Sequence, residues 1–423
     1  MLVPSPETQL MKRSASALVA LLVFIGVAPA AAQQPYSAIR TGNVVELKDT
    51  KADMVVPVVI TVGRPWRIVV KGHDLVRNTA ASAEAFEAAP GLGGMPPLFP
   101  FANRLDQTAF YANGKKYNFD MELGNVRGPI PGTGFVGGYK GWQLVDSKAD
   151  MDGAQVTVKL DFWRNPTFMK QFPFAHAVTL TYRVSNGTLE VRTRLDNLST
   201  EPMPVVIGYH PIYELPDGNR DDWTVSVDAT THWIEIPQRL PTGETQPIEK
   251  FFGSERTAIQ LKKYGLIDDV FTDLVRDANG RATMKLMYNG KEVHETLGPK
   301  FKTVLLWSTA LNAGGGGGGA RGGAGRAGGQ GAPAGGAAPG APAPTVFQPV
   351  VVDPAMGVKI APPAVPSAPG TPAPTAKGFI AFEPMVAITN ALNLSEKGVY
   401  KDLQTIPPGG SWEESFWITT KGF

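Results

Sequence analysis

Three short stretches of the chain place one ionisable side chain in an apolar setting beside a proline. They are Pro97-Leu98-Phe99-Pro100-Phe101-Ala102-Asn103-Arg104-Leu105, Met203-Pro204-Val205-Val206-Ile207-Gly208-Tyr209-His210-Pro211 and Phe379-Ile380-Ala381-Phe382-Glu383-Pro384-Met385. A charge among apolar neighbours is costly unless it is paired or used, which makes Arg104, His210 and Glu383 candidates for a common site. One histidine and one glutamate facing each other across a cleft would form an acid/base pair able to work near neutral pH. Each residue also has a plain structural reading. A histidine at a strand end is commonly hydrogen-bonded in a core, a glutamate before proline is commonly a surface charge, and an arginine after asparagine is commonly a salt-bridge partner.

The elements that must position these groups read as β-strands. Apolar and polar residues alternate in Ala154–Leu160 and Ala177–Val184, and Thr188–Leu195 returns after Ser185-Asn186-Gly187. Asn-Gly between alternating runs is a strong two-residue hairpin signal, and it recurs at Asn113-Gly114 and Asn289-Gly290. Trp223–Val227, Thr303–Trp307, Phe379–Phe382 and Ser411–Ile418 are further expected strands. Helical periodicity is scarce, suggested only near Ala81–Ala88. Many strands at short spacing imply an all-β fold, a large antiparallel sandwich.

Two segments stand outside that pattern. Residues 1–32 read as a cleaved signal peptide: Lys12 and Arg13, an apolar run Leu18–Ala28, then Ala30-Ala31-Ala32 before Gln33. A periplasmic or secreted location is the expectation, with no integral span after cleavage. Residues 313–377 open with Gly314–Gly319 and contain 17 Gly and 12 Pro, a composition expected to be disordered. The strands that flank this insertion are expected to lie side by side, which would put it near Glu383. The expected organisation is therefore a signal at 1–32 and one β-sandwich domain over 33–423, interrupted at 313–377.

Together the site stretches resemble the aldose 1-epimerase (galactose mutarotase) family. Pro97–Leu105, then Phe110 and Asn113-Gly114-Lys115-Lys116-Tyr117, is similar to the family's Asn-Arg segment. Asn197-Leu198-Ser199, Met203-Pro204, Gly208 and His210-Pro211 are similar to its His-Pro segment. Leu266-Ile267-Asp268-Asp269-Val270-Phe271 is similar to its Asp-x-x-Phe segment, and Leu306-Trp307-Ser308 with Ala381-Phe382-Glu383-Pro384-Met385 to its closing Trp-Ser and Glu-Pro segments. The resemblance implies a β-supersandwich of the galactose mutarotase type that interconverts the α and β anomers of a free aldose. It implies Glu383 as general base at the anomeric hydroxyl and His210 as general acid at the ring oxygen. Arg104 would hold sugar hydroxyls or position Glu383, Asp268 would accept hydrogen bonds from the sugar, and Asn103 would join the binding set. The family's second histidine, in a His-Gly-Phe stretch, is replaced here by Thr133 in Gly132-Thr133-Gly134-Phe135. A threonine can hydrogen-bond a sugar hydroxyl but carries no charge. Trp142, Tyr209, Phe271 and Trp307 are available to stack on a sugar face, although most are expected in the core.

Composition narrows the alternatives. The chain has 423 residues with Lys+Arg 40 against Asp+Glu 38, so no basic surface for nucleic acid is implied. The absence of cysteine excludes disulfides, a thiol nucleophile, iron–sulfur clusters and cysteine-bound zinc. No His-x-x-x-His pair, EF-hand loop or Gly-x-Ser-x-Gly elbow occurs, and Asp217–Asp222 reads as a solvated turn. Neither metal nor cofactor is expected, and no clustered arginines that would mark a phosphorylated substrate are visible near the motifs. The partner expected is a monosaccharide. The rival reading is a carbohydrate-binding protein that kept the fold and lost turnover, motivated by Thr133 and the insertion.

Overall fold

The computed structural model describes residues 34–309 and 377–423, except 124–125, 128–129, 133 and 255, together with the short strands Val351–Val352 and Lys359–Ile360. The expected signal, Thr133 and nearly all of the 313–377 insertion lie outside the described residues.

Two antiparallel sheets dominate. A nine-stranded sheet contains Gln143–Ala149, Ala154–Asp161, His176–Ser185, Thr188–Asn197, Ser411–Lys421, Lys291–Leu297, Ala282–Tyr288, Thr224–Ser226 and Ile259–Gln260, in that spatial order. In Ala154–Asp161 the burial alternates strictly, with Ala154, Val156, Val158 and Leu160 inward. This is the period of two that a half-buried strand requires. The Asn-Gly hairpins form as expected: Ser185 pairs with Thr188, Ala112 with Lys115 and Tyr288 with Lys291, with both turn residues at positive φ in each.

The second sheet has eight strands and carries the motif stretches. Its path runs Pro241–Pro247, Ala229–Glu235, Leu266–Leu274, Thr303–Thr309, Ile380–Met385, Gly208–Tyr209 and Pro97–Leu98, with Ile212–Tyr213 also paired to Ile380–Met385. Every residue of Ile380–Met385 is buried, which explains its unbroken apolar reading around Glu383. Thr303–Thr309 pairs directly with Ile380–Met385, Leu305 opposite Glu383 and Trp307 opposite Ala381, so the strands flanking the insertion are neighbours. The inner faces of both sheets meet in one apolar core that includes Val158, Leu180, Leu306 and Phe382.

A smaller sheet built on Tyr36–Thr41, Val44–Asp49 and Met54–Val59 completes the frame. Besides the expected helix at Ala83–Ala88, short helices occur at Pro166–Gln171, Ile248–Phe252 and Ala391–Glu396. At five or six residues they are too short to show a periodicity in sequence. No helix among the described residues is long and apolar enough to cross a membrane.

Candidate functional site

Strand register determines which groups meet. Side chains two apart on a strand share a face, and directly paired residues share it across strands. Leu305 opposes Glu383, Trp307 opposes Ala381, and Asp268 opposes Trp307. Glu383, Trp307 and Asp268 therefore stand on one face of the eight-stranded sheet.

His210 follows the strand Gly208–Tyr209, which pairs with Ile380–Met385 through Gly208 and Met385. Gly208 is required there: a Cβ would lie 2.9 Å from Met385 Cγ and 3.1 Å from both Ala102 Cβ and the Pro384 carbonyl oxygen. The missing side chain lets three motif stretches close on one another. The His210 amide donates to Pro96 O at 3.0 Å, which fixes the residue at the end of its strand. His210 Nε2 then lies 3.1 Å from Glu383 Oε1, with both side chains buried. The His210 and Trp307 rings meet edge-to-face at a centroid distance of 5.3 Å, and Phe379 backs Trp307 at 4.4 Å.

The Asn103-Arg104 segment is held by backbone bonds from three directions. Ala102 N donates to Val206 O at 2.7 Å, Gly134 N to Phe101 O at 3.0 Å, and Asn390 N to Arg104 O at 3.0 Å. Asn103 is buried with φ 63°, the left-handed region that asparagine tolerates better than most residues. The chain reverses there and sends Arg104 toward Asp268, with Nη2 3.5 Å from Asp268 Oδ2. The structure thus brings Arg104, His210, Asp268 and Glu383 onto one region, with Asn103 beside Arg104 in the chain. Thr133 lies outside the described residues. Of the four candidate aromatics only Trp307 is at the site and partly exposed; Trp142, Tyr209 and Phe271 are core residues.

Sequence reasoning missed a second charged group beside Arg104. Arg239, in the turn between Ala229–Glu235 and Pro241–Pro247, places Nε 3.8 Å from Asp268 Oδ2 and Nη1 3.7 Å from Asp269 Oδ2. The expectation of no clustered arginines is therefore corrected. Arg239 is 135 positions from Arg104, and only strand pairing joins them. His232 Nε2 meets Asp269 Oδ1 at 3.0 Å, and Gln246 Nε2 meets His232 Nδ1 at 3.0 Å. Glu235 is almost fully enclosed under Arg239, and its carboxyl is pushed up to about 9. Burial is the main cause, followed by the charges of Asp269 and Asp268, while Arg239 and Arg104 act in the opposite sense. The one sequence signal was a glutamate between Ile234 and Ile236. Among the described residues no group of three or more His, Asp or Glu side chains could hold a metal ion.

An imidazole and a carboxylate in contact, flanked by a guanidinium–carboxylate pair and an indole face, can bind a polyhydroxy ring and move protons at it. The aldose 1-epimerase family model matches residues 68–286, just over half of the chain. The uncharacterized protein YphB of Escherichia coli K12 is 24% identical over 144 residues, a match that spans 34% of this chain and 43% of YphB. Among solved structures, a galactose mutarotase-like protein of Clostridium acetobutylicum superposes with a TM-score of 0.64 at 18% identity, covering 90% of this chain and 95% of the other. Galactose 1-epimerase of Lactobacillus acidophilus gives 0.59 at 13% identity, covering 92% and 98%. At such identities the structures establish the shared mutarotase-type sandwich fold. The family match over more than half its length shows that this chain belongs to the aldose 1-epimerase family.

Proposed function

We propose that the protein interconverts the α and β anomers of a free aldose by acid/base ring opening and reclosure. The observation that carries this reading is the buried contact between His210 Nε2 and Glu383 Oε1 beside the Arg104–Asp268 pair. O1 and O5 of a pyranose are bonded to the same carbon, so the departing and arriving protons are one bond angle apart. Two proton-transfer groups in mutual contact suit that demand.

In the proposed cycle Glu383 takes the proton from the O1 hydroxyl as His210 delivers one to O5. The C1–O5 bond breaks and its electron pair goes to O5, while the O1 electrons form the aldehyde carbonyl. Rotation about C1–C2 presents the other carbonyl face. On closure the C5 hydroxyl attacks C1, His210 recovers the O5 proton, and Glu383 returns its proton to O1. Atoms and protons balance within the pair, so the cycle draws on no redox partner. Arg104 and Asp268 hold sugar hydroxyls away from the reacting carbon, and Trp307 offers an apolar face.

The test is polarimetry, or NMR of the anomeric protons, on freshly dissolved α-anomers of several aldoses. The protein should accelerate equilibration of at least one. Glu383→Gln and His210→Asn should each lower kcat by about 10²- to 10⁴-fold with the fold intact by circular dichroism. Sugar binding without acceleration would establish the binding-protein alternative instead. Full activity in either variant would remove the pair from the mechanism.

A further inference from the structure

The cluster around Arg239 carries an inference that rests on the proposed sugar site and extends it. We propose that Arg239 is a positioning residue that sets Asp268 and Arg104 for the sugar, and that the buried Glu235 carboxyl beneath it must be uncharged for this to work.

Arg239 acts through both its backbone and its side chain. It sits near the tip of a five-residue hairpin loop, where Arg239 N donates to Ile236 O at 2.9 Å and Ile236 N to Leu240 O at 3.0 Å. Its φ of 61° is left-handed, where glycine or asparagine is the low-cost residue. That conformation aims the Arg239 carbonyl at Arg104, whose Nη1 donates to it at 3.5 Å. It also folds the guanidinium back over the neighbouring strand, where Nη1 donates to Asp268 O at 3.4 Å and Nε approaches Asp268 Oδ2 at 3.8 Å. Arg239 thus touches both members of the Arg104–Asp268 pair. The other side of the group is anchored by Asp269: Oδ2 accepts from Asp268 N at 3.0 Å, and Oδ1 faces His232 Nε2. Gln246 Nε2 lies 3.0 Å from His232 Nδ1, so the ring that faces Asp269 is held from both sides.

The charge count explains the role of Glu235. Two guanidiniums, Arg104 and Arg239, face two carboxylates, Asp268 and Asp269. Both Glu235 oxygens are buried without a hydrogen-bond partner, and Oε2 is 4.0 Å from Arg239 Nη1. A neutral Glu235 leaves Arg239 to Asp268. An ionised Glu235 would be a third carboxylate in a low-dielectric setting, and its nearest cation is that same guanidinium. Arg239 would then turn inward, loosening Asp268 and Arg104 together. Arg239 Nη1 lies 3.7 Å from Asp269 Oδ2 and 4.0 Å from Glu235 Oε2, so a small movement of the guanidinium exchanges one carboxylate for the other.

The experiment measures sugar affinity by calorimetry on the inactive Glu383→Gln protein, using the aldose that the wild-type protein turns over fastest. Turnover is measured in parallel in the Glu383 background, with circular dichroism at every pH. Arg239→Ala should raise Kd and KM about tenfold and change kcat much less, and Arg239→Lys should restore only part because it lacks the planar fork. Affinity should fall at least fivefold as pH rises through about 9, and Glu235→Gln should abolish that fall whatever its affinity at neutral pH. Arg239→Ala with Kd unchanged within twofold would overturn the positioning role. An alkaline fall that persists in Glu235→Gln would overturn the role of its proton. If the wild-type protein neither binds nor converts any aldose, the proposed function and this inference fall together. An active wild-type protein with unaffected variants sinks only the inference.

Discussion

Glu295 offers a test of how the two main sheets are held together beneath the site. It lies on Lys291–Leu297 of the nine-stranded sheet and is completely buried. Its Oε2 accepts a hydrogen bond from Tyr213 at 2.5 Å, and Tyr213 lies on Ile212–Tyr213 of the other sheet, paired with Ile380–Met385. Burial pushes the Glu295 carboxyl up to about 8, with the Tyr213 bond acting in the opposite sense. The unfolded chain releases this proton near 4.5, so between those values the folded state holds a proton that the unfolded state has lost. Stability from this group is complete below 4.5 and falls as pH rises to about 8, by about 1 kcal/mol per pH unit. Glu235 adds a fall of the same sign that extends to about 9. His176, buried and lowered to about 4, has the opposite effect, adding stability as pH rises toward 6.5. The two carboxyls therefore dominate between about 6.5 and 8. Across that interval Glu295 should cost on the order of 2 kcal/mol, and Glu295→Gln, which keeps an acceptor for Tyr213, should roughly halve the slope of stability against pH. Urea unfolding followed by tryptophan fluorescence at several pH values measures this. Parallel wild-type and Glu295→Gln profiles would show that Glu295 is ionised in the folded protein, which would refute the reasoning.

Two further perturbations address how the site is built. In Gly134→Ala the new Cβ would lie 1.9 Å from Phe99 O and 2.3 Å from Phe99 C, both backbone atoms, so the segment carrying Asn103-Arg104 must move; thermal unfolding should show a loss of about 2 kcal/mol or more, and KM should rise. Trp307→Ala removes the partly exposed ring between His210 and Phe379; KM should rise about tenfold, and Trp307→Phe should recover part of it. An unchanged KM in Trp307→Ala would show that the sugar does not use that face.

The parts of the molecule legible in sequence are those specified by local chemistry. Asn186-Gly187 gives a two-residue hairpin because both turn residues must take positive φ, and alternation in Ala154–Asp161 tells the strand which face to bury. His210 and Glu383 stood out because an ionisable group inside a buried, apolar stretch is conspicuous. Arg239 did not, because a charged residue in a turn is ordinary. Its relevance arises from a left-handed φ and from a strand that brings Asp268 alongside. Glu235 was visible as a residue between two isoleucines, but its proton depends on Asp268, Asp269, Arg239 and Arg104, which come from three separate stretches of chain. The four candidate aromatics show the same limit. Only register distinguishes Trp307, on the face of Glu383 and Asp268, from Tyr209, which is buried and packs at a tilt against Phe416.

That register also accounts for a site that coexists with a 65-residue insertion between two of its own strands. Thr303–Thr309 and Ile380–Met385 are hydrogen-bonded neighbours from Thr303–Met385 to Trp307–Ala381, so the insertion is topologically the loop of a hairpin. The entropy of closing a loop grows only with the logarithm of its length, so a long connection there costs little more than a moderate one. Among the described residues, the contacts that place the proposed proton-transfer groups come from other parts of the chain. Glu383 is fixed by its pairing with Leu305, His210 by Pro96 and the Gly208 contact, Asp268 by Trp307, and Arg104 by Asn390 and Asp268. All of these lie in strands and turns outside 313–377. The register of the central strands is therefore what sets Glu383, Trp307 and Asp268 on one face, and the long connection enters on the same two strands without interrupting that pairing.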